Sequence, residues 1–393
     1  MKVPHLFQAA YPRVRWVRVV LVGATLLGML CCIPLWLTTR EYPVVPIFPS
    51  WLILPSNYGP WMLVVTLFSL VAAGRFFRPA AVFFLAAISY LYCCDQNRGQ
   101  PWMYIYWVML LLNLLPEQAA LAGCRLALSL VYVWAGIQKL NGTFFSIVPA
   151  WFVQPAADSG CPHLVVAGLR MAVWLTPFLE VFIGVGIWYP KTRWLAITTA
   201  TMIHGAALLF LGPVGHDVNL VVWPWNIAMV ALFVVLFASR ECVSLTQALR
   251  DLRGSLGGMF VVGLYGLLPI LSFFGWWDSY FSFALYSYNL PKAEVYVTRS
   301  FVDHLPARLR TFVYPVKHFN AAFQLPFMFE HSLWAEAELG VPPLPEPRGY
   351  VVMFHHISAY ATNNDDCFML VETRRGKLLL YRPGAPNPAI LRP

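Results

Sequence analysis

Three titratable residues interrupt stretches that are otherwise apolar: Lys139, Glu180 and His204. Lys139 ends the apolar run 126–137, which also carries Tyr132 and Trp134. Beside lipid and aromatic walls a lysine is stabilised as its neutral amine, the form that accepts a proton, so one reading is a general base. The plainer reading is a lysine that snorkels to the membrane surface and anchors its helix. Glu180 and His204 fall near the middle of two consecutive antiparallel apolar segments, at about the bilayer midplane. Pairing would offset the cost of burying each, as a proton relay or as a tie between helices.

Three denser polar motifs flank such segments. They are Asp95-Gln96-Asn97-Arg98-Gly99-Gln100-Pro101-Trp102, Gln138-Lys139-Leu140-Asn141-Gly142 and Gly215-His216-Asp217-Val218-Asn219. Convergence at one depth would give a site at the membrane face; capping is the alternative, since Asp and Asn start helices and Gly stops them. Arg170 stands one turn inside its segment. It would pair with Asp158 or Asp217, or bind an anionic headgroup or substrate. Pro177 would bend the same helix and open a cavity. Trp223-Pro224-Trp225-Asn226 reads as an interfacial belt or as walls for a flat ring. No Walker loop, nucleophile elbow, H-E-x-x-H or Rossmann glycine pattern is present. The eight cysteines form no C-x-x-C pair and no zinc spacing; the topology below puts Cys161 and Cys367 on one side, where a disulfide would be allowed.

The elements that must position these residues are membrane spans. Of the 393 residues 59% are hydrophobic and 11% charged, against about 25% charged in soluble domains. Aromatic side chains make up 16%, as belts at helix ends require. The net charge of +9 sits mostly before residue 277, between apolar segments rather than in a basic block, which argues against nucleic acid. Residues 1–18 are basic, and 19–37 reads as a retained first helix, since no small-x-small cleavage site follows. Further spans are predicted at 59–74, 79–94, 102–116, 119–138, 163–188, 194–212, 219–238 and 257–276. With the N-terminus inside, Lys2, Arg13, Arg15, Arg18, Arg75, Arg78, Lys191, Arg193, Arg240, Arg250 and Arg253 fall on the inner side. Only Arg40, Arg98 and Lys139 fall on the outer side. This orientation puts all three polar motifs at the outer surface. The reading is an all-α polytopic membrane bundle of about nine helices with a small α+β unit outside the membrane.

That unit is 277–393. Strands are expected at 294–298, 350–356, 367–373 and 377–382, with a hairpin turn at Arg375-Gly376, a helix over 302–313 and a proline-rich loop at 342–347. His355 and His356 would point to opposite faces of their strand and share no metal.

The run Tyr132-Val133-Trp134-Ala135-Gly136-Ile137-Gln138-Lys139-Leu140, followed by Phe144 and Trp151, resembles a segment of the HTTM family, the membrane domain shared with vitamin K-dependent γ-carboxylases. Leu175-Thr176-Pro177-Phe178-Leu179-Glu180 and Met202-Ile203-His204 fit the same pattern and are similar to the smaller DoxX and MauE membrane proteins. The likeness spans about 80–240. It implies that Lys139 deprotonates a quinol of the vitamin K type, whose oxygenated product would abstract a proton from a glutamate before carbon dioxide adds. A quinone would then be the cofactor or ligand.

Three functions follow as expectations. The first is an enzyme on a quinol-like or isoprenoid lipid, with Lys139, His216, Asp217, Glu180 and His204 catalytic and Asp95, Arg98, Tyr132, Asn141, Arg170, Asn219, Trp223 and Trp225 around the substrate. The second is a non-catalytic scaffold whose tail binds an envelope partner, and the third a small-solute carrier using Glu180 and His204. The expected location is a bacterial plasma membrane with the tail outside.

Overall fold

The computed structural model describes residues 10–239, 242–316, 325–385 and 387–391; Lys2 and Arg240 lie outside them. The protein is mostly helical with a small C-terminal sheet. Among the described residues six helices are long and apolar enough to cross a membrane: Arg13–Cys31, Phe77–Cys94, Glu117–Gln138, His163–Gly186, Arg193–Leu211 and Leu256–Phe274. Shorter apolar helices occupy Gly59–Ala72, Pro101–Leu112 and Val222–Phe237. The first described helix is Ala10–Cys31, so Arg13, Arg15 and Arg18 belong to it rather than to a separate basic arm. It stops at Cys31, and Ile33–Trp36 forms one more turn with Pro34 among its first residues. The last long helix changes pitch, with a π-turn at Val262–Leu267 just before Pro269, whose missing N–H and ring disturb the regular ladder.

The two ends of the bundle differ in chemistry. At one, Arg18 lies over the Phe77 ring and donates to the Asn113 carbonyl at 3.1 Å. There too Arg125 donates to Leu236 O at 2.8 Å, and Arg13 and Arg193 are buried. The opposite end carries the tail.

Among the described residues the tail carries six strands, β1 (Lys292–Val297), β2 (Val313–Pro315), β3 (Phe327–Phe329), β4 (Cys367–Glu372), β5 (Leu378–Tyr381) and β6 (Ala389–Leu391). They form an antiparallel sheet ordered β2-β3-β1-β4-β5-β6. Val295 stands opposite Phe329 on one side and Met369 on the other. Two expectations are corrected. Residues 350–356 are helical, within Pro347–Ser358, and bury Tyr350, Met353, Phe354 and Ile357 at the three-to-four spacing of a helix. His355 and His356 are therefore adjacent and exposed on that helix. The helix expected at 302–313 is two short ones, Arg299–His304 and Ala307–Arg310, because Pro306 forces Leu305 into extended backbone. Gly376 turns between β4 and β5 at φ +70°. Cys161 and Cys367 are both free thiols, the first exposed and the second buried.

Tail and bundle share one apolar core. Tyr42 packs on Trp334 with ring centroids 4.8 Å apart, and the Glu41 N–H donates to Glu338 at 3.0 Å. The buried proline-rich loop is held by the Asp95 motif: the Leu344 N–H donates to Asn97 Oδ1 at 3.2 Å, Gln100 donates to Pro342 O at 3.0 Å, and Arg348 Nε donates to Gln96 at 2.6 Å. Asp95 itself is fully buried. It takes Arg40 as an ion partner and accepts from the Val45 N–H at 3.0 Å. Burial alone would raise its carboxyl, but Arg40, Arg98 and that N–H outweigh burial and hold it below the usual carboxylate range. Arg98 donates to the carbonyls of Leu35 at 3.2 Å, Leu91 at 2.9 Å and Trp36 at 3.2 Å.

His331 gives the tail a pH dependence. Burial pushes its imidazole down to about 4, although its contact with Ala293 O at 3.0 Å favours the charged form. The folded tail thus keeps His331 neutral, while the unfolded chain takes up a proton near the ordinary value of 6.5. Stability is full above 6.5 and falls as pH drops toward about 4, by up to about 1.4 kcal/mol per pH unit. Hydrogen exchange of β1 and of helix His331–Leu339 at pH 7 and pH 5 should show faster opening at the lower pH. The effect should flatten in His331→Gln; an equal slope in that variant would contradict it.

Candidate functional site

Two helices, Glu117–Gln138 and His163–Gly186, pack backbone against backbone because glycines face the contact. A Cβ on Gly136 would lie 2.5 Å from Pro177 O and 3.0 Å from Val181 N. One on Gly184 would lie 2.6 Å from Ser129 O and 3.0 Å from Val133 N. Ser129 Oγ donates to Gly184 O at 2.5 Å and accepts from Trp188 Nε1 at 2.8 Å. The helices are antiparallel, with Gly136 beside 177–181 and Gly184 beside 129–133.

This register brings Lys139 to Glu180. Lys139 caps its helix and its side chain turns inward, so that Nζ lies 3.0 and 2.8 Å from the two carboxylate oxygens of Glu180 and 3.3 Å from Ala135 O. Three acceptors match the three protons of an ammonium. Both residues are buried, at 7% and 8% exposure. The expected placement of Lys139 at the surface and Glu180 at the midplane is therefore corrected: they meet at one depth. Residues 163–176 run on beyond that level by about 20 Å at 1.5 Å per residue.

A second polar group lies on the neighbouring helices. His204, on Arg193–Leu211, bonds Asn226 Oδ1 through Nδ1 at 2.6 Å and Tyr132 Oη through Nε2. Asn226 Nδ2 donates to Val222 O at 2.7 Å, which turns its oxygen toward the imidazole. The order of donors follows: Nδ1–H donates to Asn226, and Nε2 accepts from the Tyr132 hydroxyl. His204 thus pairs with Tyr132 and Asn226, and Glu180 with Lys139, in place of an expected Glu–His pair.

Both groups line one cavity of about 530 Å³ whose remaining walls are mainly apolar. The helical spacing explains the lining: Val131, Tyr132, Ala135 and Lys139 share a face, as do Val173, Thr176 and Glu180, and Val222, Asn226 and Met229. Trp225 lines it too. The last wall comes from the segment that leads into the tail, through Phe283, Leu285 and Tyr286. Phe283, Tyr286 and Tyr288 have φ of 59°, 53° and 56°, left-handed values that non-glycine residues adopt only when their surroundings enforce them. Asn141 and Gln138, on either side of Lys139, supply part of that enforcement. Asn141 Nδ2 donates to Ser287 O at 2.8 Å, and Gln138 accepts from Asn289 at 2.6 Å.

The other candidates stand elsewhere. Asp95 and Arg98 bind the 35–45 segment, beside Gln96, Asn97 and Gln100, which hold the tail. Asn141 caps helix Gly142–Phe152, accepting from the Phe144 N–H at 2.9 Å. His216 stacks on Trp151 at 4.3 Å and bonds its carbonyl at 2.8 Å; Trp151 in turn stacks on Tyr286, so His216 lies behind the cavity wall. Asp217 is exposed with φ of 48°, Asn219 lies in the turn before Val222, and Trp223 faces outward. Arg170 is exposed, and among the described residues it forms no ion pair with Asp158 or Asp217. Sequence reasoning assigned no site role to Ala135 or to the 283–286 segment, and it singled out Asn226 only as part of the 223–226 motif. Asn226 was visible as a lone amide in an apolar helix, four residues from Val222. Among the described residues, no group of three or more His, Cys, Asp or Glu is placed to hold a metal ion.

Comparison with known proteins finds no matching family model, no matching curated protein and no matching solved structure.

A double-mutant cycle tests the pair. Lys139→Met should strand the Glu180 carboxylate and Glu180→Leu the ammonium, each costing about 3–5 kcal/mol, whereas the double variant should recover much of that loss. Thermal unfolding in detergent reads the cycle; strictly additive losses would show that the two residues do not interact.

Proposed function

We propose that this chain is a polytopic membrane protein of about nine spans whose cavity performs proton transfer on the polar head of a quinol-like or isoprenoid lipid. The observation that carries the reading is the Lys139–Glu180 ion pair facing a largely apolar cavity of about 530 Å³. That size lies within the range of small-molecule sites and would take a ring head with a short length of tail. A buried pair at best breaks even against apolar residues of the same volume, so stability alone gives little reason to keep one here.

The chemistry follows from the geometry. The Lys139 ammonium gives a proton to a Glu180 oxygen 2.8 Å away, which leaves an amine and a carboxylic acid. That amine takes the proton of a ligand hydroxyl; the ligand O–H bond breaks, the N–H bond reforms, and the ligand anion rests against an ammonium. The oriented Tyr132–His204–Asn226 chain offers a second hydrogen-bonding edge. This matches the role that the HTTM resemblance gives Lys139, and a quinol, the reduced partner of a quinone, would be its natural ligand. The separation of the arginine-rich end from the tail end supports an N-terminus in the cytoplasm and a tail outside a bacterial plasma membrane.

The test uses a quinol whose neutral and anionic forms differ in absorbance, added to protein in lipid nanodiscs. The wild type should show the anion. Lys139→Met should bind the quinol but show an ionised fraction lower by at least about tenfold. Equal spectra would overturn the proposal. If Glu180→Gln blocks movement of a solute that Lys139→Met still passes, the carrier reading replaces it. Should no lipid bind while deletion of the tail abolishes the cellular phenotype, the scaffold reading replaces it.

A further inference from the structure

The buried residues of helix His163–Gly186 are Pro177, Glu180, Ile183, Gly184 and Gly186, all in its second half. On the next helix, Arg193–Leu211, the buried residues between the first turn and the last are Ala196, Ile197 and Ala200. The two helices therefore close against the bundle near their shared turn and stand out from it beside the cavity. Helix His163–Gly186 is 11% buried over its apolar window, against 72% for Glu117–Gln138.

Between the outlying halves the cavity lining includes Ala172, Val173 and Thr176 from one helix and Met202, Ile203 and Ala206 from the other. Two of these are accessible as well: Ala172 is exposed, and Met202 is 69% exposed. Around them lie exposed Met171, Phe178 and Leu209, so the outer face is apolar and continuous with the cavity lining. Water has little to bind there, whereas a hydrocarbon tail does.

We infer that the gap between helices His163–Gly186 and Arg193–Leu211 is a lateral portal through which a bilayer lipid enters, its head reaching Lys139 and Glu180 while its hydrocarbon tail trails out past Ala172 and Met202 into the membrane. The inference rests on the reading of the chain as membrane-spanning with a ligand-binding cavity; it does not need the proton transfer. Ala172 and Ala206 would then set specificity, since their small side chains keep the gap open.

Proteoliposomes containing a single-chain isoprenoid phenol with a diazirine on the chain carbons next to its head test the portal. After irradiation, mass spectrometry locates the adducts. The wild type should carry them on the cavity-facing Ala135 and Leu179 as well as on the outward-facing Met171 and Leu209. Ala172→Trp with Ala206→Trp should lower the cavity adducts by about tenfold and leave the outward ones unchanged. Those outward adducts report that the variant is folded; Ala206→Trp alone provides a milder block. Wild-type adducts confined to the outward residues would overturn the portal, as would cavity adducts that persist in both variants. Labelling of the cavity in a protein that never ionises a quinol would keep the portal and remove the proton chemistry. Ionisation of a quinol with no cavity labelling would do the reverse.

Discussion

A charge pair buried among apolar helices is the constraint on which the site depends. Lys139 and Glu180 are each costly to remove from water, and each is tolerable only because the other lies 2.8 Å away. The packing around them meets that demand. Gly136 and Gly184 let two backbones touch, which fixes the level of Lys139 against Glu180 to within a hydrogen-bond length. Pro177 contributes its carbonyl to the same contact. Any side chain at Gly136 would push the helices apart and separate the charges, so a residue without chemistry of its own governs the chemistry beside it.

The tail is part of the site as well as a domain beside it. Its lead-in segment walls the cavity with Phe283, Leu285 and Tyr286, and the left-handed backbone of Phe283 and Tyr286 costs about 1–3 kcal/mol each. Hydrogen bonds from Gln138 and Asn141 hold that segment against the residues flanking Lys139. The Asp95 network repeats the arrangement at a distance: one buried carboxylate and two arginines organise the 35–45 loop and receive the proline-rich loop of the tail. Strain and buried charge are thus concentrated where bundle and tail meet. Among the described residues the opposite end of the bundle buries charge of one sign only, with Arg13, Arg125 and Arg193 among its apolar side chains.

Much of this was legible in the sequence. Apolar runs marked the long helical segments, because a helix in lipid must be apolar around most of its circumference, but not the shorter Gly142–Phe152 and Leu245–Leu252. Lys139, Glu180, His204, Tyr132 and Trp225 stood out as polar or aromatic residues within those runs, and all five line the cavity. What was hidden was their pairing. Counting residues from segment ends placed Lys139 and Glu180 at different depths, since it could not show that 163–176 projects past the end of its neighbour. The Asp95 motif was ambiguous for another reason: a buried carboxylate looks the same in sequence whether it faces a ligand or a loop. Helix Pro347–Ser358 was misread as a strand because Val351, Val352, Met353 and Phe354 form a short apolar run without clear periodicity.

The central claim is that the Glu180 carboxylate takes up a proton when a ligand hydroxyl meets Lys139. Infrared difference spectroscopy of protein carrying carboxyl-labelled glutamate, recorded on adding a quinol, measures that directly. The account predicts a new protonated-carboxyl band in the wild type that is missing in Glu180→Gln. Identical difference spectra from the two proteins would contradict it.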